Sequence, residues 1–361
     1  MVYHNISLTQ YFTPMNRPRF IGMVLISILS LAYCTTALAQ ARVVATIKPL
    51  QMIASAITEG VSEPDLLIPP HQSYHHFVLR PSTVRTLQRA DLVVWVGPQL
   101  ETYLADTVAR GENSSRQIVQ ALNLPGLHIH LSSDADPDHH STGPDHHPGD
   151  PGQHSTGPDH HSTGPDYHST GPDSHSAALG DAEALDHGHG LIDPHVWLDT
   201  HNAGLIATAI AAQLTQLDPA NSVTYEANLA AFTLALDALR TDIRASLRMP
   251  AEGRYAVYHN AFQYFEREFG LDHAFVFVAS EELQPSVRHM LAVREAIGEA
   301  PLLCLMEDVT SQPGTVRTLL GGHQVLRVQA DTTGRDLDSG ADSYLQLING
   351  VADAFRQCFG Q

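Results

Sequence analysis

Between residues 132 and 190 the chain offers almost nothing from which a core could be built. The stretch is mostly His, Asp, Gly, Pro, Ser and Thr, with no Lys or Arg. The unit His-Ser-Thr-Gly-Pro-Asp begins at His140, His154, His161 and His168, and the same seven-residue step places His147 and His175 in phase. A seven-residue period can mean a coiled coil, but Gly-Pro in each unit forbids a continuous helix. With so few apolar side chains, 132–190 is expected to be a disordered insertion. Whatever folds must therefore be assembled from the two flanks.

The flanks alternate between strand-like and helix-like segments. Val43 to Ile47 is β-branched, Pro49 opens an amphipathic stretch to Ile57, and Asp65 to Ile68 is short and apolar. Helical spacing runs from Pro81 to Arg89, and Leu92 to Val96 ends at Gly97-Pro98. After the insertion, Ala203 to Leu217 is rich in Ala and Leu. Asp218-Pro219 then signals a helix start, and no Gly or Pro follows until Pro250. A helix of about thirty residues would span roughly 45 Å, enough for a rod joining two lobes. Strand candidates resume at Tyr255–Tyr258, Ala274–Ala279, Leu302–Met306 and Val325–Val328, and a helix over Tyr344–Phe355 closes the chain. The expected fold class is α/β: two lobes, each a parallel sheet flanked by helices, joined by one long rigid helix. The expected division is a signal segment 1–39, an N-terminal lobe 40–217 that carries the insertion, a linker helix 218–249 and a C-terminal lobe 250–361.

The first 39 residues set the compartment. They contain Arg17 and Arg19 but no Lys, Asp or Glu, then an apolar run from Phe20 to Tyr33 and the small-x-small site Ala37-Leu38-Ala39. This is a secretory signal, with cleavage expected near Ala39 and the periplasm as destination; an uncleaved anchor is the alternative. Tyr33 before Cys34 speaks against lipidation. Loss of the signal takes the formal charge from −19 to about −21 and leaves two cysteines. In an oxidising compartment Cys304 and Cys358 read as a disulfide, with two buried free thiols as the alternative. The acidic balance excludes a nucleic-acid binder, which needs clustered Lys and Arg to neutralise phosphates.

The chain has 23 His against 20 Lys and Arg. Neutral imidazoles bind zinc, copper and nickel. The insertion's His139, His140, His146, His147, His154, His160, His161, His168, His175, His187 and His189 are therefore expected to form weak, interchangeable metal sites; a solvated spacer is the plainer alternative. Three histidines outside it stand in more specific places. His75 lies in the loop after the Leu66–Ile68 strand, His195 in Asp193-Pro194-His195-Val196-Trp197-Leu198-Asp199, and His259 just after the Tyr255–Tyr258 strand. Asp331 follows Val325–Ala330. Ligands of open α/β sheets bind at the carboxyl ends of strands, and three imidazoles with a carboxylate there suit a zinc-like ion. Asp199 is either an outer support for an imidazole or a helix cap. His71 reads as solvated, His201, His273, His289 and His323 as structural or exposed, and Trp95 and Trp197 as core or pocket wall.

The stretch Ser73-Tyr74-His75-His76-Phe77-Val78-Leu79-Arg80-Pro81-Ser82, followed by Ala90-Asp91-Leu92-Val93-Val94-Trp95-Val96-Gly97, resembles the zinc-binding proteins of ABC importers, the ZnuA group. Asp193 to Leu198 and Tyr258-His259-Asn260-Ala261-Phe262-Gln263-Tyr264-Phe265 resemble the same family. The resemblance covers nearly the whole mature chain. It implies Zn²⁺ as the transported ligand, held by His75, His195 and His259 with Asp331 as a weaker or alternative fourth ligand. It also implies a structural Cys304–Cys358 disulfide, and as partners a membrane permease with its cytoplasmic ATPase; a monomer is expected. Manganese-preferring relatives carry a carboxylate in place of His259. Tyr74 departs from the pattern, because close relatives often have an acidic residue beside the first His. His76 is a register rival to His75; His75 is preferred because it stands five residues before Arg80.

The remaining classes are a metal buffer without a transporter, a manganese-binding homologue, a surface adhesin and a zinc hydrolase. The hydrolase is disfavoured because neither His-Glu-x-x-His nor Gly-x-Ser-x-Gly occurs; the chain is not expected to be an enzyme.

Overall fold

The computed structural model describes residues 40–75, 77–109, 116–131, 192–278 and 286–361. The signal segment, the insertion and His76 lie outside the described residues.

Strands β1 (Val43–Ala45), β2 (Asp65–Leu66), β3 (Leu92–Trp95) and β4 (Gln117–Gln120) form an all-parallel sheet in the order β2-β1-β3-β4. Strands β5 (Ala256–Val257), β6 (Phe275–Val276), β7 (Leu305–Glu307) and β8 (Arg327–Gln329) repeat that arrangement as β6-β5-β7-β8. The first sheet carries α1 (Lys48–Thr58), α2 (Pro81–Gln88), α3 (Ala105–Ala109) and α4 (Thr200–Leu217). The long α5 (Ser222–Ser246) follows. The second sheet carries α6 (Gln263–Phe269), α7 (Val287–Glu299), α8 (Pro313–Leu320) and α9 (Ser343–Phe359). Two lobes of parallel sheet and helix are thus as the sequence predicts.

Two details differ. Strand β4 has no counterpart among the predicted elements: it is an edge strand with Gln at both ends and only Ile118 and Val119 between. The linker helix is shorter than expected. Asp218 accepts hydrogen bonds from Tyr225 Oη at 2.9 Å and Asn221 Nδ2 at 2.7 Å, and a tight 3-10 turn over Pro219–Asn221 precedes α5. The 25 residues of α5 span about 37 Å.

One core runs through both lobes. Every residue of α1 is buried, and α1 packs against α4, α5 and α9, so it is covered on all sides rather than along one stripe. The second sheet shows strand alternation directly. Tyr255, Val257 and Met306 face the shared core, while Ala256, Tyr258 and Leu305 face a separate cluster under α7 and α8. Polar ties cross between the lobes. Trp197 Nε1 donates to the Thr332 carbonyl at 2.9 Å, Tyr344 Oη to the Trp197 carbonyl at 2.6 Å, and Lys48 Nζ to Ser339 Oγ at 2.7 Å. Cys304 and Cys358 are joined in a disulfide that ties the entry of β7 to the end of α9. Among the described residues no helix is long and apolar enough to cross a membrane.

Candidate metal centre

In each sheet the strand order reverses beside the first strand, and the crevice at such a switch point is where ligands of open α/β sheets bind. In the second sheet that point lies between β5 and β7. His259 stands two residues past β5, Asp308 immediately past β7, and His259 Nδ1 meets the Asp308 carboxylate. In the first sheet the matching crevice, between β1 and β3, is closed. Glu101 fills it, accepting from Thr46 Oγ1 and from the backbone N–H groups of Val96 and Gly97 at 3.0 and 2.9 Å. Burial pushes Glu101 up to about 7 although these donors pull it down.

The first lobe supplies its imidazoles from loops instead. His75 follows buried Tyr74, whose carbonyl accepts from Tyr103 Oη at 2.8 Å. His195 leads into the 3-10 turn Val196–Leu198, just past the bridge between Leu131 and Ile192. The rings of His75 and His195 have centroids 6.1 Å apart, and those of His195 and His259 5.4 Å. Ligand nitrogens about 2 Å from a tetrahedral ion place ring centroids roughly 5 Å apart, so the trio stands slightly wider than a closed site. Among the described residues no group of three or more His, Cys, Asp or Glu stands close enough to hold a metal ion as placed.

Two of the three rings are nevertheless oriented by carboxylates. His195 Nδ1 lies 2.7 Å from Asp193 Oδ1, and that oxygen also accepts the His195 backbone N–H at 2.9 Å. His259 Nδ1 faces Asp308. A carboxylate oxygen only accepts, so Nδ1 of each ring carries the proton and the lone pair falls on Nε2. Nε2 of His195 is buried and makes no hydrogen bond. Burial alone would raise Asp308, but His259 and Thr310 hold its carboxyl below the usual range, so it stays ionised. Both rings are nearly enclosed, His195 at 4% and His259 at 5% exposure. Trp197 walls the site 5.2 Å from the His195 ring. The ring of Tyr74, the departure from the family pattern, lies 4.6 Å from His75 and 5.9 Å from Trp197, so this position joins an aromatic wall.

Asp331 is half-buried after β8, and its Oδ1 accepts from Thr333 N, Thr333 Oγ1 and Gly334 N at 3.0, 2.8 and 2.8 Å. That oxygen is committed to the turn, which leaves Oδ2 for a ligand. A cleft of about 290 Å³, lined by Lys48, His71, Tyr74, Tyr258, Thr310 and Arg335 among others, opens at this junction of the lobes. His71 lines this cleft and is exposed, in keeping with the solvated reading.

The other histidines take the structural roles expected of them. His289 Nε2 bonds the Phe277 carbonyl at 2.9 Å, and His323 is exposed. His273 Nδ1 lies 2.9 Å from Glu266 Oε2; burial would lower this imidazole, yet Glu266 raises it above its ordinary value. Asp199 is the helix cap of the two readings, and the imidazole it holds is not one of the three candidate ligands. Its Oδ1 caps α4 by accepting the Asn202 N–H at 3.0 Å, and its Oδ2 holds an imidazole at 2.7 Å, that of His128. Asp193 and Asp308 were not singled out from the sequence. Asp308 was reachable by the same end-of-strand rule that marks His259 and Asp331. If Asp308 orients His259, Asp308→Asn is expected to weaken zinc binding about 10–100-fold, with little change in the apo protein's melting midpoint. Competitive titration and calorimetry check the two halves of that expectation.

A family profile described as ZnuA, zinc-uptake complex component A, periplasmic, matches residues 43–358. The "High-affinity zinc uptake system protein ZnuA" of Brucella suis biovar 1 (strain 1330) is 33% identical over 335 residues, covering 91% of this chain and 95% of that one. The protein of the same description from Yersinia pestis is 29% identical over 323 residues, covering 89% and 92%. Among solved structures, the manganese complex of the solute-binding protein FpvC from Pseudomonas aeruginosa superposes with a TM-score of 0.65 at 19% identity, covering 89% of this chain and 99% of that one. A crystal structure of ZnuA gives 0.63 at 19%, covering 87% and 99%. At those identities the structural matches speak for the fold.

Proposed function

The chain belongs to the ZnuA family of periplasmic zinc-uptake components, and from that premise we propose that it captures Zn²⁺ between its lobes and hands it to an ABC permease driven by a cytoplasmic ATPase. His75, His195 and His259 are the ligands in this reading, with Asp331 or water in the fourth position. The single observation that carries it is the convergence of three imidazoles from three separate segments, two of them oriented by buried carboxylates. Neutral imidazoles favour zinc over harder ions, and an enclosed site removes competing water.

The protein is exported through cleavage near Ala39 and acts as a monomer. The His-rich stretch 132–190 collects zinc at many weak sites. The family is one of transport proteins, and no catalytic role is assigned to the site. Continuity of the core across the lobes and the ties through Trp197, Tyr344 and Lys48 favour small movements over wide hinge opening. Protons compete for the ligand nitrogens, so affinity weakens as pH falls through the imidazole range, roughly 6.5.

Zinc uptake into vesicles carrying the cognate permease and ATPase tests the assignment. Transport is expected only with the zinc-loaded protein present. Tight binding without any transport would make the protein a buffer. A second expectation concerns the metal: His259→Glu replaces an imidazole with a hard oxygen donor and should move preference toward manganese. Unchanged selectivity in competitive titrations would remove His259 from the ligand set.

A further inference from the structure

Asp193 is buried, and part of what holds it comes from the other lobe. Its Oδ1 faces the ring and backbone nitrogens of His195. Its Oδ2 faces the side-chain amide of Gln263, in the first turn of α6. The amide atom turned that way stands 3.1 Å from Asp193 Oδ2 and 3.2 Å from the Leu131 carbonyl. Both of those oxygens only accept, so the atom is Nε2, and it donates one hydrogen to each. A buried carboxylate oxygen left without a donor is costly. The Gln263 amide removes that cost and fixes the plane in which Oδ1 meets the imidazole.

The backbone of Asp193 is held by the same turn of α6. Tyr264 Oη donates to the Asp193 carbonyl at 2.8 Å and accepts the His130 N–H at 3.3 Å. The His130 carbonyl in turn accepts the Asp193 N–H at 2.9 Å. This turn of α6 follows directly from His259. The His259 carbonyl accepts the Ala261 N–H at 2.8 Å, and Ala261, Phe262, Gln263 and Tyr264 are all buried. The short segment that carries His259 therefore also carries the groups that hold Asp193. His195 and His259 come from different lobes, yet their rings, 5.4 Å apart, share this one support.

We propose that Gln263 is a positioning residue for zinc capture. It fixes Asp193 across the junction of the lobes, and so keeps the His195 imidazole in the ligating tautomer and in register with His259. It acts through Asp193 rather than on the metal. This inference rests on His195 and His259 being zinc ligands.

Competitive zinc titration and heteronuclear NMR spectra of the histidine rings, both on the full secreted chain, test it. Gln263→Met keeps the length of the side chain and removes the donor. It is expected to lower zinc affinity about tenfold, the low end for loss of an outer support, because Gln263 stands one step further out. In the metal-free protein the His195 ring should change from a single tautomer, protonated at Nδ1, to a mixture of two. Gln263→Asn keeps the amide but is one carbon short of reaching both oxygens. It should lose affinity in the same direction, and it carries the test if Gln263→Met does not fold. In an Asp193→Ala background Gln263→Met should change affinity less than about twofold, because the residue through which it acts is gone. A loss of equal size in that background overturns the proposal. So does a chain that keeps its affinity and its single His195 tautomer without the Gln263 amide. His195→Ala is titrated alongside. Zinc retained there is a failure of the cargo site, and the tautomer, read without metal, still decides the role of Gln263.

Discussion

Replacing His195 by alanine is expected to lower zinc affinity by at least about 100-fold, because a lost ligand must cost no less than a lost outer support. The His195 ring faces both His75 and His259. The fold should tolerate the change. Asp193 keeps the backbone N–H of residue 195 as a donor, and the Trp197 tie to Thr332 does not involve the imidazole. A chromophoric chelator competing for zinc reads the affinity, and circular dichroism reads the fold. Affinity retained within about tenfold would mean that the trio is not the site.

The second large effect is on stability. The Cys304–Cys358 bridge closes a loop of 54 residues, and both cysteines are buried. Constraining the unfolded chain over that length is worth about 4 kcal/mol on the loop-entropy account. Cys304→Ala with Cys358→Ala should therefore lower the unfolding free energy by about 3–4 kcal/mol. Because α9 packs on α1 and α5, the loss is felt across both lobes rather than as local fraying. Urea titration would report it as a lower midpoint with a steeper slope, because the unfolded chain is freed of its constraint. A loss below about 1 kcal/mol would mean that the bridge adds little to the packing of α9.

Much of this was legible in the sequence. Buried parallel strands are continuous apolar runs, so Val43–Ala45 and Leu92–Trp95 announce themselves, as does α1 behind Pro49. Strand β4 does not, because an edge strand flanked by Gln carries no such run. The three candidate ligands were found from their places beside strands and the motifs around them. Their carboxylate supports were harder to see. Asp193 and Asp308 are one acidic residue each among many, and only the fold turns them toward a ring. The role of Gln263 was least visible. Its partners Leu131 and Asp193 lie on opposite sides of the insertion, and the bridge between Leu131 and Ile192 that gathers the two ends has no local signal. The histidine count that first suggested metal chemistry belongs mostly to the stretch between them.

The most direct measurement of the central claim is competitive zinc titration of the chain lacking residues 132–190. If His75, His195 and His259 hold the cargo, that variant binds one zinc tightly, and His195→Ala in the same background removes it. Loss of tight binding on deletion alone, or its survival in His195→Ala, would contradict the assignment and place the site elsewhere.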